Sequence, residues 1–145
     1  MRVNKYTLKR VKERGYSYEG QITCSQDVYS FCKDKLALHE ATKEQFLVFA
    51  LDTKNKISGF TVASIGTLDS APVHPRDVFN FLIVSNAKNF ICVHNHPSGD
   101  PKPSAEDFNI TRKLQEVGEL VGIDMLDHII YTEESYYSFK VENCL

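Results

Sequence analysis

His94 and His96 stand one residue apart, and after seven more residues come Ser104 and, three positions on, Asp107. Two imidazoles and a carboxylate are a donor set for a metal ion that accepts nitrogen and oxygen. The stretch that carries them, ICVHNHPSGDPKPSAED from Ile91 to Asp107, starts as an apolar run, becomes a Gly/Pro loop and then opens a helix. Alternate strand residues share a face with Cα atoms about 6.5–7 Å apart, so His94 and His96 can converge on one ion. The loop reverses the chain and delivers Asp107 one turn into the helix, where the dipole favours an ionised carboxylate. Three protein ligands leave a fourth tetrahedral position for water, the catalytic form of a zinc site. Such a site also needs a carboxylate outside the ligand set to take and return protons. Glu40 and Glu44, just ahead of the first apolar strand, are the candidates.

Each residue alone has an ordinary role. A strand-end histidine is commonly a surface group, and an aspartate in a first helical turn commonly helps to cap it. It is the joint spacing that carries the metal reading. Ser104 reads first as a helix N-cap, with Asp107 at a capping-box distance. Cys92 alternates with His94 and His96, but on a regular strand its Cα lies about 13 Å from that of His96. A buried apolar role is therefore expected for Cys92. His128, inside an apolar run, is expected to be buried and hydrogen-bonded, or to stand behind the metal ligands. His74 precedes Pro75 at a helix entry, and His39 is expected to be exposed.

The elements that must position these residues follow from periodicity. Ser25 is expected to cap a first helix, with Val28, Phe31, Cys32 and Leu36 on its apolar face and its end near Leu38 to Ala41. Gln45 to Asp52 is apolar at almost every position, as in a strand covered on both faces. Ile57 to Ile65 returns across a polar turn, and the two strands are expected to form a hairpin at the centre of the sheet. Pro75 opens a second helix with Val78, Phe79, Leu82 and Ile83 inward. Asn89 to Val93 is a third strand running into His94. A third helix follows Ser104, with Ile110, Leu114, Val117 and Val121 inward and Gly122 just past its end. Ile123 to Thr132 and Tyr136 to Val141 complete the set as two more strands. The fold class is α/β (α+β): a mixed, largely antiparallel sheet flanked by helices.

With 145 residues, 42% hydrophobic and 25% charged, the chain suits one globular domain and shows no internal repeat. Net charge is -2, but residues 1–20 hold six Lys/Arg against Glu13 and Glu19, a net of +4, so the remainder carries -6. Residues 1–21 read as a basic lead-in, usually a solvated segment, with phosphate contact as the lesser reading. No run is apolar enough to span a membrane, no signal-peptide core opens the chain, and the four cysteines form no CxxC pair. These features point to the reducing cytoplasm and no membrane partner.

The pattern His94-x-His96-x7-Ser104-x-x-Asp107 resembles the JAMM motif of the JAB/MPN+ metallopeptidase fold. The blocks HNHPSGDPKPSAED, VHPRDVF (Val73 to Phe79), GTL (Gly66 to Leu68) and GIDMLDHII (Gly122 to Ile130) make the chain, from Ile22 to Leu145, similar to the RadC family. The resemblance implies a JAB/MPN sandwich of the cytidine-deaminase-like type over residues 22–145. It implies a Zn2+ ion held by His94, His96 and Asp107. It selects Glu44 as the general base, because the family's glutamate opens the matching strand in an E-x-F setting and Glu44-Gln45-Phe46 fits. It also implies a place beside the metal for Ser104, whose hydroxyl would bond the oxyanion of a tetrahedral intermediate. The implied activity is cleavage of an amide or isopeptide bond in a peptide or protein substrate. One alternative is a partner-binding module with a structural or inactive metal site, carrying the family's DNA-repair association. The residues ahead of Ile22 are not expected to hold the family's helix-hairpin-helix region, and only the basic arm is expected to offer phosphate contacts to nucleic acid. Another alternative is a zinc nuclease, since activated water also attacks phosphodiesters.

Overall fold

The computed structural model describes residues 1–66 and 72–145. Thr67 and Leu68 of the Gly66–Leu68 block lie outside the described residues. Among the described residues, three α-helices, α1 (Ser25–Asp34), α2 (Pro75–Val84) and α3 (Ala105–Val121), accompany five strands: β1 (Gln45–Leu51), β2 (Ile57–Ile65), β3 (Asn89–Asn95), β4 (Asp124–Tyr131) and β5 (Tyr136–Ser138). The strands form one sheet in the order β2-β1-β3-β4-β5. Only the β3–β4 pairing is parallel, and α3 supplies its crossover. The mixed, largely antiparallel sheet with flanking helices is therefore the observed architecture.

Alternation along the apolar strands separates two cores. Leu47, Phe49, Leu51, Ile91, Val93, Ile129 and Tyr131 face α1. Phe46, Val48, Ala50, Phe90 and Cys92 face α2 and α3. This double coverage explains why β1 and β3 read as unbroken apolar runs. Residues 1–15 are exposed and carry no regular secondary structure; Tyr16 and Tyr18 then settle against Phe60 and Phe31.

Several expectations shift. The β1–β2 hairpin lies at one side of the sheet, and β3 occupies the centre. Ser58, Thr61 and Ser64 interrupt β2, whose Val62 and Ile65 are 39% and 60% exposed, as suits an edge strand. The helix α1 is capped by Cys24 and ends at Asp34. Asp27 accepts the Thr23 and Cys24 amide hydrogens and so pulls the start back by one residue. A left-handed Ala37 leads into a short 3-10 turn, Leu38–Glu40, before β1. Ile83 and Val121 are exposed, and the buried face of α3 runs through Asp107, Thr111, Leu114 and Gly118. The last strand stops at Ser138, where buried Asp127 accepts from Ser138 Oγ at 2.7 Å and Lys140 N at 3.1 Å and turns the chain away.

Gly118 is where α3 comes closest to the start of β4. A Cβ there would lie 2.5 Å from the Ile123 carbonyl oxygen and 3.3 Å from Phe90 Cε1. Alanine in a helix interior is ordinarily worth up to about 1 kcal/mol over glycine. Here the obstacle is backbone, so Gly118→Ala is expected to destabilise the fold by about 1–3 kcal/mol. Urea unfolding checks the sign.

Candidate metal centre

The two periodicities that build the core also assemble the site. Phe46 on β1 pairs with His94 on β3, on the face covered by α2 and α3. Glu44 precedes Phe46 by two positions and His96 follows His94 by two, so parity sends all three side chains toward that face. The strand β3 continues through His94 to Asn95, two residues beyond the expected Val93. His96 is then fixed by its amide hydrogen bond to Tyr131 O at 2.9 Å. The loop after His96 turns through Gly99 at φ 86° and leads to Ser104, the N-cap of α3. Ser104 Oγ accepts the Asp107 amide hydrogen at 3.1 Å, and Asp107 Oδ2 accepts that of Ser104 at 2.8 Å. This reciprocal cap locks the Asp107 rotamer over the strand ends.

His94 Nδ1 lies 3.1 Å from Asp107 Oδ1, His96 Nε2 lies 3.4 Å from Asp107 Oδ2, and His94 Nε2 lies 3.5 Å from Glu44 Oε2. Ligand atoms of Glu44, His94 and His96 fall within 4.8 Å of one another. Glu44 ahead of β1, His96 just past β3 and Asp107 of α3 thus gather about the His94 ring, with Glu44 against Nε2 and Asp107 against Nδ1. The group of ligand atoms within 4.8 Å holds Glu44, His94 and His96 and does not include Asp107. Both carboxylates lie against that ring, but they differ in setting: the Asp107 side chain is 6% exposed and that of Glu44 37%.

A cation fits this arrangement. Among the described residues, both ring nitrogens of His94 are buried without an aligned hydrogen-bond partner. Each orphaned polar atom of this kind costs about 1–3 kcal/mol. His96 Nδ1 is bonded to the Asp100 carbonyl at 2.8 Å, so it carries the proton and leaves Nε2 free as a ligand. Burial alone would raise the Asp107 pKa; the adjoining His94 and His96 rings and the Ser104 amide outweigh it and hold the carboxyl well below the usual range. Burial likewise opposes a charged His96, but the Asp107 carboxylate and the Asp100 carbonyl outweigh it and raise its pKa. Two imidazoles and a desolvated carboxylate are donors that suit zinc.

The surrounding cleft holds about 640 Å³ and is lined by Glu44, His94, His96, Lys102, Ser104 and Asp107 among others. Glu40 sits exposed on the 3-10 turn, outside that lining. Cys92 is fully buried under α3, His74 caps α2 and His39 is exposed, all as expected. His128 is fully buried; burial, then the neighbouring His94, lower its pKa to about 3 and keep it neutral.

Two contributors escape the sequence reading. Asn95, between the two histidines, points to the opposite side and is 2% exposed. Its Oδ1 accepts the Gln45 amide hydrogen at 2.6 Å and its Nδ2 donates to Lys43 O at 3.1 Å. It thus clamps the peptide groups on either side of Glu44. Thr111 joins Asp107 to His128 by two bonds of 2.6 Å. The sequence alone marked neither, since the groups each one satisfies come together only in the fold.

The family model of the RadC-like JAB domain matches residues 22–144. A UPF0758 protein of Methanosarcina mazei is 48% identical over 122 residues, covering 84% of this chain and 52% of the relative. One from Thermotoga maritima is 40% identical over 135 residues, covering 93% and 56%. The UPF0758 protein YsxA of Bacillus subtilis is 46% identical over 104 residues, covering 72% and 45%. The chain spans about half the length of these curated relatives. From the matched profile, the fold and these relatives together, the chain belongs to the family of RadC-like JAB domains.

Proposed function

We propose that this chain is a zinc-dependent hydrolase that cleaves an amide or isopeptide bond in a peptide or protein. The observation that carries the reading is the pairing of one buried and one half-exposed carboxylate around two histidines in a single cleft. A desolvated carboxylate needs a positive partner, which suits Asp107 to ligation beside His94 and His96. The half-exposed Glu44, in contact with water, suits proton transfer. Zinc, when bound, supplies Lewis acidity for the carbonyl and lowers the pKa of water. Glu44 takes the proton of the attacking water and returns it to the leaving nitrogen, while Asn95 holds the peptide groups flanking it. The Ser104 hydroxyl lines the cleft and is the candidate donor to the oxyanion.

Amide cleavage is favoured over phosphodiester cleavage by the charge of the cleft. Its lining holds Glu44, Asp100, Glu106 and Asp107 against Lys102. Among the described residues, four carboxylates face one ammonium, and the lining stays net negative even with the two charges of zinc added, which disfavours a phosphate backbone. Incubating the zinc-loaded chain with peptide and isopeptide libraries tests the reading. Cleavage that chelation stops and zinc restores is expected; a zinc-loaded chain that cleaves none of them contradicts it.

The raised His96 pKa gives the metal a pH dependence. A protonated imidazole cannot ligate, so zinc and protons compete for it. Acid favours the protonated form, and Asp107 stays ionised throughout. Zinc affinity is therefore expected to fall as the pH drops through the range where His96, its pKa raised above the usual imidazole value, takes up its proton. Chelator competition at several pH values measures the slope, which should reach at least one proton per zinc.

A further inference from the structure

The buried contact between α3 and β4 bears on the metal centre. Thr111 and His128 are 2% and 0% exposed. Thr111 Oγ1 lies 2.6 Å from the Asp107 carbonyl oxygen and 2.6 Å from His128 Nδ1. A hydroxyl has one proton to give. Two oxygens at 2.6 Å require a proton between them, so the Thr111 hydroxyl donates to the Asp107 carbonyl. His128 must then donate from Nδ1 to Thr111, which fixes its tautomer. Its ring is held in turn by Phe139, stacked at 4.8 Å and 4°, and lies parallel to His94 at 6.3 Å and 15°.

We infer that His128 and Thr111 are positioning residues for the metal ligands. The chain of donors from His128 through Thr111 to the Asp107 backbone ties the first turn of α3 to β4, the strand beside His94. The same imidazole forms the wall parallel to the His94 ring. The distance between the Asp107 carboxylate and the two ligand imidazoles is thereby set from behind, by groups that never touch the metal. This inference rests on the zinc reading above.

Thr111→Val keeps the shape and removes both hydrogen bonds, whereas Thr111→Ser keeps both bonds and loses a methyl group. Zinc affinity of the full chain is measured by chelator competition, with circular dichroism reporting the fold. Loss of support behind a ligand typically weakens metal binding tenfold to a hundredfold, and a loss of about that size is expected for Thr111→Val. The Thr111→Ser variant should bind like the wild type. His128→Asn, which keeps a donor near the Nδ1 position, against His128→Leu repeats the test from the other end, should Thr111→Val not fold. Equal affinity in Thr111→Val and wild type overturns the inference. So does an equal loss in Thr111→Ser and Thr111→Val, which would trace the effect to packing. A folded wild type that binds no zinc overturns the metal reading itself, and that result is visible in the wild-type arm alone.

Discussion

Glu44→Gln is expected to lower amide-bond turnover by about 10²–10⁴-fold, the range for loss of a positioned proton-transfer group, while zinc content stays at the wild-type level. The substitution is nearly isosteric and removes the carboxylate's charge together with its ability to hold a proton. The two readouts matter together, because Glu44 Oε2 stands 3.5 Å from His94 Nε2 and lies within the cluster of candidate ligand atoms. A base and a ligand predict different outcomes. If Glu44 were a ligand, zinc would leave with activity. If it were neither, both would persist. Only retained zinc with lost turnover supports the assigned role. Its 37% side-chain exposure and the Asn95 clamp on its neighbours suit a group that exchanges protons from a fixed backbone.

The second large effect belongs to Asp107. Asp107→Asn keeps an oxygen able to accept the Ser104 amide hydrogen, so α3 remains capped. What disappears is the negative charge set between His94 and His96. A ligand loses more than a group behind a ligand, so zinc affinity is expected to fall at least about a hundredfold. The unfolding midpoint of the metal-free protein should move far less than that of the zinc-loaded protein, because bound metal stabilises only the folded state. Comparing both midpoints with and without zinc checks this. An unchanged zinc affinity would remove Asp107 from the ligand set.

Much of the arrangement was legible because it obeys simple periods. The alternation of β3 and the Ser104–Asp107 cap are local, and local rules brought His94, His96 and Asp107 together; the choice of Glu44 over Glu40 came from the resemblance to the RadC family. The order of the strands was not local. Phe46 to Leu51 read as a central strand, but nothing in the hairpin alone says that β3 will add on its far side and leave β2 at the edge; the mixed polar pattern of β2 was the hint. Helix faces drifted similarly. Val121 continued an apolar spacing yet is exposed, because the α3 face rotates to accept Thr111 and the bare Gly118 against β4. Asn95 and Thr111 were invisible for another reason. Each satisfies backbone or side-chain groups dozens of positions or a strand away, and such pairings exist only once the fold has formed.

The central claim is that His94 is a ligand, its buried ring nitrogens having no aligned hydrogen-bond partner among the described residues. The most direct test is metal analysis of the wild type and of His94→Ala, each loaded with zinc, desalted and confirmed folded by circular dichroism. The account predicts about one zinc per chain in the wild type, the single site its ligand set provides, and almost none in His94→Ala. Equal zinc in the two proteins would contradict it.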